Sequence, residues 1–165
     1  DPGHILSELH RQIRHTLKQD EDSKSKDGMD VCMLSVDRYG EEIKYAGAFR
    51  PLFLMREGEL QEIKGDKMSI GGEQLEEERI FNTKAVEVQQ GDAIYMFSDG
   101  FVDQFGGPNE KKFSTKRLKG MIDEYYEQTM SKQRAYFNLV WNDWKDDGEQ
   151  IDDVTMIGIK FNELG

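Results

Sequence analysis

Two acidic positions in this sequence are placed where they could hold a divalent cation. Asp99 follows the apolar run Ala93–Phe97 (AIYMF) and Ser98, and it precedes Gly100. Asp152 and Asp153 directly precede the apolar run 154–161 (VTMIGIKF). In both places a hydrophobic strand carries a carboxylate at its end, and a packed sheet fixes such a residue to about the tolerance that metal ligation needs. Mg²⁺ and Mn²⁺ are hard ions that take oxygen ligands and keep several waters, so a few carboxylates suffice. Asp beside Gly is also ordinary turn chemistry, and the spacing alone leaves both readings open.

Other chemistries find less support. His4, His10 and His15 lie on or beside one opening helix. His10 and His15 are off the i, i+4 spacing that puts two imidazoles on one helical face, so all three read as ordinary surface or helix residues. Cys32 is the only cysteine, which rules out an intrachain disulfide and suits a reducing, cytoplasmic compartment. It sits in the apolar run 31–34 (VCML) and reads as a small buried hydrophobe rather than a nucleophile. No Ser-His-Asp or Cys-His pattern stands out, and no Gly-rich phosphate loop suggests a nucleotide-binding kinase-like domain.

The elements that must position the carboxylates can be read from periodicity. Ile5, Leu6, Leu9, Ile13 and Leu17 mark one face of a helix, with Asp1 as its cap and Pro2 in its first turn. Residues 20–27 (DEDSKSKD) carry no apolar side chain and read as an exposed loop. From Met29 to Phe97 the pattern is of short strands: 31–36, 43–48, 52–55, a Glu57-Gly58 hairpin turn before Leu60 and Ile63, then 85–88 and 93–97. Turns are expected at Tyr39-Gly40 and at 90–92. After Pro108 two helices are expected, one with a stripe of Leu118, Met121, Ile122, Tyr125 and Tyr126. The other carries Phe137, Val140, Trp141 and Trp144 behind a Ser131 cap and ends at Asp146-Asp147-Gly148. The last strand must rejoin the sheet across this helical segment. The order predicts an α+β fold with helices packed on an antiparallel sheet.

Bulk composition excludes some functions. The 165 residues suit one domain with a real core, and the balance of 33 acidic against 22 basic residues gives a net charge of −11. Nucleic acid is therefore not an expected partner, because a phosphate backbone demands an excess of Lys and Arg on one face. Lys111-Lys112 and Lys116-Arg117 are too small a group to reverse this. No run reaches the roughly 20 apolar residues of a membrane span, and the first residues lack a signal peptide's pattern.

The exact strings then narrow the reading. Residues 95–104 (YMFSDGFVDQ) contain the S-D-G strand-end motif of the PPM (type-2C) protein phosphatases and resemble the SpoIIE-like bacterial branch in detail. Residues 150–155 (QIDDVT) resemble that branch's terminal D-D-x-T. Residues 44–54 (KYAGAFRPLFL) resemble its A-G-x-x-P segment, and 27–30 (DGMD) its strand-opening D-G-M-D. S-D-G alone is weakly specific, but four ordered matches covering nearly the whole chain are specific.

The resemblance implies a fold and a site. The fold is a PPM-type β-sandwich of two antiparallel sheets flanked by helices, with 1–165 forming a single partial domain. Asp99 and Asp152 become catalytic ligands of a binuclear Mn²⁺ or Mg²⁺ centre, with Asp153, Gly100 and Gly47 in support: Asp153 orients the site and Gly47 permits close backbone approach. Arg50 is either a phosphate contact or a solvated strand-flank residue, and Asp103 caps the segment directly after it. The branch's first metal motif, an Asp followed by Gly-His-Gly, is expected upstream. Asp1-Pro2-Gly3-His4 imitates it, but Ile5 replaces the second Gly, and Asp1 matches the cap of a later helix. The N-terminal strands are then absent, a sheet edge is open to self-association, and a chain with only these carboxylates is expected to hold no metal pair.

The implied activity is metal-dependent hydrolysis of phosphoserine or phosphothreonine on a regulatory partner, a STAS-type anti-sigma-factor antagonist, with the domain serving as the output module of a larger sensor. The alternative is a non-catalytic binding or dimerisation module, either a truncated fragment or a degenerate phosphatase.

Overall fold

The chain opens with a capped helix, for the reason its first two residues give. The Asp1 carboxylate accepts from the His4 amide at 2.9 Å, and Pro2 occupies the first turn, where a missing N–H costs nothing. The computed structural model describes residues 1–19, 25–37, 42–74 and 78–162. In chain order, α1 (Pro2–Thr16) is followed by β1 (Gly28–Met29), β2 (Val31–Val36), β3 (Glu42–Ala48), β4 (Leu52–Arg56), β5 (Glu59–Ile63), β6 (Ile70–Gly71) and β7 (Lys84–Glu87). Then come β8 (Ala93–Phe97), α2 (Asp99–Asp103), β9 (Phe105–Gly106), β10 (Lys111–Lys112), α3 (Thr115–Tyr125), α4 (Met130–Lys145) and β11 (Met156–Lys160). The expected Tyr39-Gly40 turn and positions 20–24 of the expected polar loop lie outside the described residues. The fold is α+β with antiparallel sheets.

Two compact units divide the chain, residues 1–52 with 62–90 and residues 53–61 with 91–162. In the first, an antiparallel sheet runs β2-β3-β7, and β1 pairs with β6. Leu6 of α1 is fully buried with Ala46, Ala48, Ile70 and Phe81, while Leu9 and Ile13 pack on the same cluster. The helical stripe is correct at its centre and wrong at its ends: Ile5 and Leu17 are 47% and 46% exposed, Leu17 because the helix stops before it. His10 is a second correction. It is 3% exposed, its Nδ1 accepts from the Gly71 amide at 3.0 Å, and its Nε2 lies 2.9 Å from Gln74 Oε1, so it ties α1 to β6 from inside. Cys32 is half-buried rather than fully buried as expected, and burial pushes its thiol up to about 12, which favours the protonated form.

The second unit holds a four-stranded sheet in the order β11-β8-β4-β5. Strand β8 is buried almost throughout, as its unbroken apolar run requires. The β4–β5 connection is the expected two-residue turn, with positive φ at both Glu57 and Gly58. Helices α3 and α4 cover the sheet: Leu118, Met121, Ile122, Phe137 and Trp141 share one core with Phe53, Tyr95 and Phe97. The cap of α4 is Thr129, whose side chain accepts from the Lys132 amide, and not Ser131, which lies inside the helix. The final strand does rejoin the sheet, but it starts two residues later than the apolar run suggests and pairs antiparallel with β8 from Met156↔Phe97 to Lys160↔Ala93. Among the described residues no helix is long and apolar enough to cross a membrane.

Candidate metal centre

The turn between β8 and α2 and the segment leading into β11 are joined by one side chain. Ser98 sits at the N-cap position of α2, yet its hydroxyl makes no capping bond. It donates instead to the Asp153 carbonyl at 2.9 Å and accepts from the Thr155 amide at 2.9 Å. The Ser98 amide donates to the Thr155 carbonyl at 3.0 Å. These bonds extend the β8–β11 pairing past its last regular rung.

Both acidic segments meet at this junction. Asp99 is half-buried and its carboxylate accepts from the Gly100 amide at 3.1 Å. Asp152 is exposed; its side chain accepts from the Asp153 amide at 2.6 Å, and its carbonyl accepts from the Gln150 side chain at 2.8 Å. Gly100 is buried between them. A Cβ there would lie 3.1 Å from the Asp152 Cβ and would overlap the Asp153 carbonyl. The structure thus brings Asp99, Gly100, Asp152 and Asp153 together at one end of the β8–β11 pair.

Gly47 and Arg50 belong to the first unit. A Cβ at Gly47 would overlap the Arg50 carbonyl and the Tyr45 hydroxyl, which donates to that carbonyl at 2.5 Å. The Arg50 guanidinium pairs with Asp30 at 3.1 Å, and Asp30 also accepts from Ser69 at 3.0 Å. The motif segments 27–30 and 44–54 therefore meet through side chains. Asp103 does not act as the expected cap; it pairs with Lys112 of β10 at 3.1 Å.

The donor set at the junction is all oxygen, which suits Mg²⁺ or Mn²⁺ in type. Among the described residues no group of three or more His, Cys, Asp or Glu side chains is arranged to hold a metal ion. Ser98, Thr155 and Gln150 were missed as contributors. Ser98 and Thr155 stand in the motif strings themselves, but a hydroxyl that bonds across 57 positions leaves no local sign of its partner.

The profile of the family described as Stage II sporulation protein E (SpoIIE) matches residues 1–162. The chain belongs to the SpoIIE family. No curated protein matches it in sequence. Among solved structures it is similar to the SiaA-PP2C domain of Pseudomonas aeruginosa, at 28% identity and a TM-score of 0.82 over 98% of this chain. The chain spans 61% of that domain's length. The phosphatase domain of the cell fate determinant SpoIIE from Bacillus subtilis aligns at 13% identity and a TM-score of 0.63, covering 98% of this chain and 74% of that one. A serine/threonine phosphatase of S. agalactiae aligns at 16% identity and a TM-score of 0.62, covering 96% and 69%. The last two likenesses are of fold.

Proposed function

We propose that the protein carrying this chain is a metal-dependent protein serine/threonine phosphatase, with Asp99 and Asp152 as ligands to Mn²⁺ or Mg²⁺. One observation supports the reading: the backbone segments that bear Asp99 and Asp152 meet at one strand end, where Gly100 leaves the Asp152 Cβ and the Asp153 carbonyl no side chain to avoid. Ions of this kind, when bound, lower the pKa of a coordinated water and neutralise charge on phosphoryl oxygens. The chain's part is to hold and orient. Asp99 is fixed by its place at the start of α2 and Asp152 by Gln150 and by its own turn. The substrate class is a phosphoserine or phosphothreonine on a regulatory protein of the STAS-type anti-sigma-factor antagonist kind, and the setting is cytoplasmic signalling. The test is release of phosphate from such a phosphoprotein by the full-length protein with Mn²⁺ or Mg²⁺. Turnover that survives a chelator, or that Asp152→Asn leaves intact, would overturn the reading.

A second reading, a dimerisation module, is favoured by the edge of the second unit's sheet. Strand β11 is outermost in the described sheet, Ile157 is 48% exposed on it, and a groove of about 810 Å³ runs between it and α4. Among the described residues the groove's lining includes Arg134 and no acidic side chain, which suits an edge of another acidic chain. Sedimentation of the 165-residue chain and its Ile157→Lys variant decides it: a monomeric wild type, or a dimer indifferent to the substitution, rejects this edge as the interface.

A further inference from the structure

We propose that Ser98 is the positioning residue of the carboxylate pair, its hydroxyl setting where Asp152 and Asp153 lie relative to Asp99. The inference rests on the reading of Asp99 and Asp152 as the metal-holding pair. A serine at an N-cap normally accepts from an amide in the first turn of its own helix. Here that bond is forgone, and the hydroxyl spans to the Asp153 carbonyl and the Thr155 amide, each at 2.9 Å. With the backbone bond to the Thr155 carbonyl at 3.0 Å and a longer hydroxyl contact to the same carbonyl at 3.5 Å, one residue makes four ties to the acidic segment.

The surroundings separate positioning from bulk stability. Asp153 and Thr155 are both exposed residues, so the hydroxyl's bonds to them lie outside the buried core. A variant without it keeps its core, because the buried cluster of this unit contains neither Ser98 nor its partners. What it loses is the fixed distance between two segments that must present oxygens to the same ion. Metal ligation is sensitive to displacements of that scale, whereas global stability is not.

The experiment uses the 165-residue chain, ¹⁵N-labelled, as wild type, Ser98→Ala and Ser98→Thr. Without metal, hydrogen exchange at the Thr155 amide is expected to speed up about tenfold in Ser98→Ala, as loss of one hydrogen bond predicts, and to stay near wild type in Ser98→Thr. The thermal midpoint is expected to stay within a few degrees in both. An unchanged Thr155 exchange rate in Ser98→Ala overturns the proposal. On Mn²⁺ titration, paramagnetic broadening of the amide signals of 99–100 and of 152–153 is expected at one common concentration in the wild type. In Ser98→Ala that concentration is expected to rise about tenfold, with recovery in Ser98→Thr. Identical broadening curves in Ser98→Ala and wild type also overturn it. If Mn²⁺ broadens neither segment in the wild type, the two carboxylates do not hold an ion in the 165-residue chain. The metal reading then rests on turnover by the full-length protein, and the metal-free exchange still decides whether Ser98 couples the segments.

Discussion

The carbonyl group of Asp153 stands where the side chain of any residue at position 100 would begin. Glycine is required there by space and not by backbone angle, since Gly100 is not among the residues with positive φ. Gly100→Ala must push the 152–153 segment away or shift α2. Overpacking of this kind is expected to cost about 2 kcal/mol, measured by urea denaturation, and to move the amide resonances of 152–155. Wild-type stability with unmoved resonances would show that the junction has room to spare.

Charge removal at the junction should leave the fold alone and end the chemistry. In the full-length protein, Asp99→Asn or Asp152→Asn is expected to lower Mn²⁺-dependent hydrolysis of a phosphoserine substrate more than about a hundredfold, while circular dichroism stays unchanged. Near-wild-type turnover in either variant removes that residue from the ligand set.

Ligand count governs what the 165-residue chain does by itself. Two carboxylates from Asp99 and Asp152, with water filling the remaining positions, are expected to bind Mn²⁺ weakly and to give no tight pair of sites by calorimetry. Two tight sites would require ligands beyond these two, supplied elsewhere in the chain or by a second copy.

Asp92 and Arg56 make a nearly buried pair at the base of β8. The carboxylate is 2% exposed and receives the guanidinium in two-point contact, Nε to Oδ1 at 3.1 Å and Nη2 to Oδ2 at 2.7 Å. Arg56→Met would leave the carboxylate buried without its cation, a change expected to destabilise by roughly 3 kcal/mol in urea denaturation. A loss below about 1 kcal/mol would mean that other donors hold Asp92.

Tyr95 gives the second unit a defined alkaline limit. Burial pushes its phenol from 10.0 up to about 12, against the smaller opposing effect of the Gln133 hydrogen bond at 2.8 Å. Its contribution to stability is full below pH 10, the unfolded value, and is lost as pH rises through about 12. Tyr95→Phe should flatten that part of the stability profile, followed by denaturant midpoints between pH 9 and pH 12. An identical alkaline slope in the variant would assign the loss to other groups.

Local signals account for what the sequence made visible. Asp1 and Pro2 announce α1, the pair Glu57-Gly58 announces its hairpin, and the unbroken run 93–97 announces a buried strand, because each depends on neighbours within a few positions. The strings 95–104 and 150–155 are local in the same way, and the fold brings their two segments to one strand end. Two-residue strands such as β1 and β6, or β9 and β10, carry no periodicity to detect. Neither did anything near His10 point to Gly71 and Gln74, 61 and 64 positions away. Thr129 and Ser131 are both good caps, and only the helix's packed face, carrying Gln133 and Phe137, decides between them.

Pairing of β11 with β8 also bears on when the site can exist. The Ser98–Thr155 bonds close a loop of 57 positions, with both helices α3 and α4 inside it. Closing so long a loop costs entropy that is recovered only once the helices dock and the last strand zips up. A growing or partly unfolded chain therefore carries Asp99 long before it has Asp152 beside it. Loop closure thus ties presence of the carboxylate pair to docking of both helices, which makes the site a product of the whole unit's folding and of no local segment.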